Sequence, residues 1–66
     1  MRLKELRKAR GLTQRELAAE LHTSRNTILR YEARTREPSV TMLVRMAAYF
    51  HVSLEELLGE GLDWPR

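Results

Sequence analysis

The chain has no cysteine, which excludes disulfide frameworks and thiolate metal sites. Proline occurs only at 38 and 65, and glycine only at 11, 59 and 61. With so few breakers, abundant Leu, Ala, Arg and Glu point to an all-α domain. There is no internal repeat and no low-complexity stretch. No apolar run approaches the roughly 18 residues of a membrane helix. Met1-Arg2-Leu3-Lys4-Glu5 is charged and has no apolar segment behind it, so no signal peptide is expected and the expected location is cytoplasmic, on the nucleoid if DNA is bound. At 66 residues there is one domain. A chain this short buries only about 60% of its unfolded surface, which argues against a deep substrate pocket. No His pairs with Ser or Cys, and no glycine loop could cradle a phosphate, so an enzyme is a poor reading. No cofactor is expected.

What is present is charge, and it is unevenly placed. The chain carries 12 Lys+Arg against 9 Asp+Glu, net +3. Residues 1–37 hold +5 of this, and residues 38–66 hold −2. A basic half beside a mildly acidic one suggests one face for a polyanion. A solvated surface without a partner would fit the charge alone equally well.

Five short helices can be read. The first covers about residues 2–10, with Leu3, Leu6, Arg7 and Arg10 along one stripe and Gly11 as the stop. Thr13-Gln14-Arg15-Glu16 is a capping box that opens the second, whose apolar face is Leu17, Ala18 and Leu21. Ser24 caps the third, which runs to about Ala33. The fourth follows Pro38 with Ser39 as cap, and its apolar positions are Val40, Leu43, Val44, Ala47 and Phe50. Ser53-Leu54-Glu55-Glu56 is a second capping box; Leu54, Leu57 and Leu58 are expected to face inward, and Gly59 ends the helix. The domain is expected to span residues 1–59, with residues 60–66 as a tail.

Only His22 and Thr23 join helices 2 and 3, which forces a steep, close crossing with the small Ala18 at the contact. This is helix-turn-helix geometry. At about 100° per residue, Arg25, Leu29, Ala33, Asn26 and Arg30 fall in one arc of helix 3, and Thr27, Ile28 and Tyr31 fall opposite. Arg can pair bidentately with guanine O6/N7 and Asn with adenine N6/N7, while Leu and Ala can touch a thymine methyl. An ordinary surface with one stray leucine is the bland alternative. The short turn and the flanking charge weigh against it.

The chain resembles the Cro/phage-repressor type of helix-turn-helix regulator, the xenobiotic-response-element (XRE) family. The resemblance is carried by residues 6–14 (Leu-Arg-Lys-Ala-Arg-Gly-Leu-Thr-Gln), Glu16-Leu17-Ala18, the run from Ser24 to Arg30-Tyr31-Glu32, Arg36-Glu37-Pro38-Ser39, and His51 to Leu58. It implies a compact five-helix, lambda-repressor-like fold and a palindromic double-stranded DNA operator as partner. It implies that Arg25, Asn26 and Arg30 belong to the base-reading face, and the wheel of helix 3 places Leu29 on the same face. Gln14 matches a phosphate contact beside a helix N-terminus, where an anion is favoured. Thr13, Ser24, Thr27, Arg34 and Arg36 match or adjoin backbone-contact positions, which set register and carry little sequence information. Arg7 and Glu32 match an ion pair of the family. Both also lie at or near apolar stripes, where a lone charge would be costly.

Three sites depart from the family pattern, which has glycine where this chain has His22 and His51, and Asn-Gly where it has Ala33-Arg34. A side chain at φ > 0 costs about 1 kcal/mol or more. Helix 3 is therefore expected to run on into Arg34, with the 2–3 turn slightly reshaped. His22 and His51 are read as turn residues, since two isolated histidines make no metal site.

The leading function is a sequence-specific transcriptional regulator, a repressor, acting as a homodimer. The alternative is an antitoxin or anti-regulator that uses the same fold to hold a protein partner. One recognition helix reads few base pairs, and a two-fold pair would place two helices about 34–36 Å apart. Leu54, Leu62 and Trp64, with Tyr49 as a lesser candidate, are the expected dimer interface, Leu57 being core. The alternative for Trp64 is that it folds back onto its own domain.

Overall fold

The computed structural model describes residues 1–59. Leu62, Trp64 and the rest of the expected tail lie outside the described residues. Five helices follow one another: α1 (Leu3–Ala9), α2 (Gln14–Glu20), α3 (Arg25–Glu32), α4 (Val40–Phe50) and α5 (Leu54–Leu58). There is no strand among the described residues. None of these helices is long and apolar enough to cross a membrane.

Side-chain caps fix where four of the five helices begin. Thr13 Oγ1 accepts from the Glu16 N–H at 3.0 Å, and Glu16 Oε1 accepts from the Thr13 N–H at 2.8 Å. Ser53 and Glu56 repeat the same box at α5, at 3.0 and 2.9 Å. Ser24 and Ser39 cap α3 and α4 through the N–H groups of Thr27 and Met42. Each cap satisfies donors that the first helical turn leaves without a partner.

One device ends four of the helices. After α1, α2, α3 and α4 a single residue turns left-handed: Gly11 (φ 69°), His22 (58°), Arg34 (63°) and His51 (58°). Its N–H bonds back three residues, and the next N–H bonds back five, as in His22 to Ala19 at 3.2 Å and Thr23 to Ala18 at 2.9 Å. The same two bonds recur at Gly11, Arg34 and His51. This is the Schellman closure, which recovers carbonyls the helix end would strand. Helix α3 therefore does not run on into Arg34. It stops at Glu32, and Arg34 takes the left-handed conformation despite its Cβ. Two hydrogen bonds and the packing of the next helix outweigh a strain of about 1 kcal/mol.

The core gathers one or more residues from every helix: Leu3, Leu17, Ala18, Leu21, Ile28, Tyr31, Met46, Ala47, Phe50 and Leu57. Helix α2 packs mainly on α3, with Ala18 buried as the crossing requires. In α4 the inward stripe is rotated from the sequence expectation. Val40 and Val44 are exposed, whereas Met46 is fully buried and Met42 and Tyr49 pack at the core edge. Leu43, Ala47 and Phe50 define the inward direction, and the period alone does not say which flank joins them. The flexible methionine fills the core side. Leu54 is likewise exposed rather than inward, while Leu57 is buried and Leu58 half-buried. Helix α5 is only five residues long, so one residue, Leu57, anchors it.

Long arginines tie the helix ends together. Arg10 donates to the Phe50 carbonyl at 3.2 Å and lies over the Tyr49 and Phe50 rings. Arg45 donates to the Leu21 carbonyl at 3.1 Å. Both reach C-terminal carbonyls, where a cation is favoured. The backbone N–H of Arg2 donates to the Leu57 carbonyl at 2.8 Å and closes the first helix onto the last.

The left-handed turns give a stability prediction. His51→Gly and His22→Gly should each raise unfolding free energy by about 0.5–1 kcal/mol, because strain at φ > 0 is relieved. Gly11→Ala, with open space around its Cβ position but φ 69°, should lower it by a similar amount. Urea unfolding of the three variants reads all three signs.

Candidate nucleic-acid interface

Helix α3 divides cleanly. Ile28 and Tyr31 are buried in the core, and Thr27 is half-buried against it. Arg25, Asn26, Leu29, Arg30 and Ala33 are exposed. Among the described residues the side chains of Arg25, Asn26 and Arg30 make no hydrogen bond or ion pair within the chain. Two cations and an amide thus project from one helix face with their donors unspent, around a leucine that is 42% exposed.

That face is held by charge as well as by apolar packing. Arg7 on α1 meets Glu32 at the end of α3 through two bonds, Nε to Oε2 at 2.7 Å and Nη2 to Oε1 at 3.2 Å. The side chains are 9% and 4% exposed. Arg7 Nη1 donates to the Leu12 carbonyl at 2.8 Å, and Gln14 Nε2 donates to Glu32 Oε1 at 3.0 Å. No buried side-chain polar atom among the described residues lacks a partner, as a buried ion pair requires. Burial pushes the Glu32 carboxyl up, but hydrogen bonds from Arg7 and Gln14, and the charges of Arg7 and Lys4, outweigh it. Its pKa therefore lies below the ordinary carboxylate value.

Gln14 is consequently a bridge as well as a surface group. One N–H of its amide is spent on Glu32, and one remains for an outside acceptor. Gln14 lines an open recess of about 590 Å³ together with Arg7, Thr13, Arg15 and Arg25. Among the described residues no carboxylate lines it. The recess joins the start of α2 to the start of α3 and suits an anion. Arg15, two residues after the Thr13 cap and beside Gln14, joins the expected residues at this recess.

The remaining hydroxyl candidates are partly engaged. Thr13 Oγ1 accepts the cap bond from Glu16 and keeps its own proton to donate. Ser24 Oγ accepts from the Thr27 N–H at 3.2 Å and shares a second bond with Thr27 Oγ1 at 2.9 Å, so one of these two hydroxyls keeps a donor. Arg34 and Arg36 are exposed in the loop after α3. Of the expected dimer-interface residues, Leu54 is 42% exposed and Tyr49 is half-buried under Arg10.

A family model described as helix-turn-helix matches residues 3–57. The chain belongs to the XRE-type helix-turn-helix family. It is 37% identical over 59 residues to the HTH-type transcriptional regulator ImmR of Bacillus subtilis, covering 89% of this chain and 46% of ImmR. It is 37% identical over 62 residues to the HTH-type transcriptional activator BcrR of Enterococcus faecalis, covering 92% of this chain and 30% of BcrR. The transcriptional repressor RstR of the cryptic phage CTXphi, from Vibrio cholerae, is 30% identical over 60 residues, covering 91% of this chain and 54% of RstR. The chain thus spans about half or less of each of these three relatives.

The ion pair gives a second prediction. Glu32→Ala should cost about 3 kcal/mol by stranding Arg7, and an Arg7→Met, Glu32→Met double variant should cost less than either single change. Because the folded-state pKa is lowered from about 4.5, the carboxylate contributes its full stability above that value. The contribution is lost as pH falls through the lowered value. Wild type should therefore lose more stability than Glu32→Gln between about pH 5 and pH 3. Urea titrations across that range check it; parallel pH dependence in both proteins would show that Glu32 is not held ionised.

Proposed function

We propose that the chain is a sequence-specific DNA-binding transcriptional regulator that inserts α3 into the major groove of double-stranded DNA. The observation that carries this reading is the outward face of α3, where Arg25, Asn26 and Arg30 spend no side-chain hydrogen bond among the described residues while the opposite face is locked into the core. Arg25 and Arg30 are assigned to guanine edges and Asn26 to adenine. Gln14, Thr13, Ser24, Thr27, Arg34 and Arg36, joined by Arg15, are assigned to phosphates, which set the register of α3. Family membership and the regulator names of ImmR, BcrR and RstR support the assignment. Repression is the simplest outcome, because a protein seated on a promoter blocks it by occupancy alone, without a further contact surface.

The working unit in this reading is a two-fold dimer on a palindromic site. A single module buries roughly 600–1,000 Å² on DNA, less than specific affinities of about 10⁻⁸–10⁻¹¹ M generally use. Leu54, with Tyr49, Leu62 and Trp64, is the proposed interface; all four belong to the less basic half of the sequence and none to the segments of α2 and α3. Sedimentation equilibrium across micromolar concentrations should show a monomer–dimer exchange that Leu54→Glu shifts toward monomer. A strictly monomeric chain whose site has no inverted repeat contradicts it.

Specificity is the direct test of the reading face. Arg25→Ala, Asn26→Ala and Arg30→Ala should each weaken a selected operator by about 1–3 kcal/mol and random DNA far less. Arg36→Ala should weaken both alike and lower the salt slope by about one unit. If Arg30→Ala leaves the ratio of operator to random binding unchanged in fluorescence anisotropy, the reading face is wrong.

A further inference from the structure

Among the described residues four large apolar side chains are exposed: Leu29, Val40, Val44 and Leu54. Leu29 alone lies in the basic half of the chain. Arg25 and Asn26 lie one turn before it, Arg30 beside it and Ala33 one turn after it, and all four are exposed. Long helical side chains lean toward the N-terminus, over the preceding turn. Leu29 therefore covers the turn of Arg25 and Asn26, and a recognition helix meets base edges with its N-terminal residues. Of the other helical neighbours of Leu29, Ile28 is buried in the core and Glu32 is turned toward Arg7.

We propose that Leu29 reads a pyrimidine 5-methyl group, so that each half of the operator carries a thymine next to the bases contacted by Arg25, Asn26 and Arg30. The proposal rests on the DNA-binding function above. Its argument is one of elimination. In the major groove every base pair presents hydrogen-bond donors or acceptors, and the one apolar group larger than a ring C–H is the pyrimidine C5-methyl. A leucine pressed onto O6, N7 or an exocyclic amine strips water from that atom and offers no hydrogen bond in return. Against a methyl group it buries apolar surface on both sides. A leucine held among three base-reading side chains therefore favours thymine over cytosine at one position and penalises a polar edge there. Single exposed leucines are ordinary on protein surfaces; this one cannot stay solvated once its four exposed neighbours are in the groove.

The test uses the chain with an operator recovered by selection from random duplex DNA. Each thymine is replaced in turn by deoxyuridine, which removes only the methyl group. At one thymine per half-site, wild type should lose about three- to fivefold in affinity, the worth of one buried methyl group. Leu29→Ala and Leu29→Gln should bind the unmodified operator more weakly and lose almost nothing further at that thymine, while deoxyuridine elsewhere affects all three proteins alike. With cytosine at the same position, 5-methylation should strengthen wild type by a similar factor and leave both variants unchanged. The two variants are made at an exposed position, and thermal melting confirms that they are folded. If the operator is preferred over random DNA but no thymine couples to residue 29, the methyl contact is wrong and the DNA-binding function stands. If no duplex is preferred at all, both fail.

Discussion

The contact between Arg7 and Glu32 is the constraint on which the rest depends. Apolar packing through Ile28 and Tyr31 sets which face of α3 points inward, and a polar tie is added at the far end of that helix. Glu32 supplies it, because its two oxygens are taken by Arg7 from α1 and Gln14 from α2. Three helices thus meet at one carboxylate. A nearly buried ion pair is a weak source of net stability, since desolvation offsets most of its attraction. Its worth here lies in geometry. It admits one orientation of α3, and it joins the helix proposed to read bases to the residue proposed to hold a phosphate.

The turns serve the same end at some cost. A chain of 66 residues has little apolar surface to spare, yet three of its four left-handed helix stops lack glycine. Each still forms both closing hydrogen bonds. The path of the backbone from helix to helix is therefore imposed by the assembly and does not depend on local preference. At Arg34 the compromise places a cation in the loop after α3, where a glycine would relieve the backbone but carry no charge.

Much of this was legible in the residues. Thr13-Gln14-Arg15-Glu16 and Ser53-Leu54-Glu55-Glu56 announce their helices because a capping box needs only local spacing. The wheel of α3 separates Ile28 and Tyr31 from Arg25, Asn26 and Arg30 because mixed polar and apolar residues mark both sides. Where a helix is apolar nearly all round, as α4 is, the period underdetermines its rotation, and Met46 changed places with Val44. The end of α3 is not legible in the sequence for a different reason. Local strain at Arg34 argued for a longer helix, whereas the closing bonds and the packing of α4, which local sequence does not display, decided for the turn. The second role of Gln14 was hidden likewise, since its partner Glu32 lies 18 residues away.

The central claim is that the exposed face of α3 recognises a particular DNA sequence, and selection of bound duplexes from a random pool tests it most directly. The account predicts that successive rounds converge on one short motif, repeated with inversion at a spacing of about one helical turn (34–36 Å), with guanine and adenine fixed within each half. A pool that keeps its random composition while the protein still retains DNA at low salt would show a purely electrostatic binder and contradict the claim.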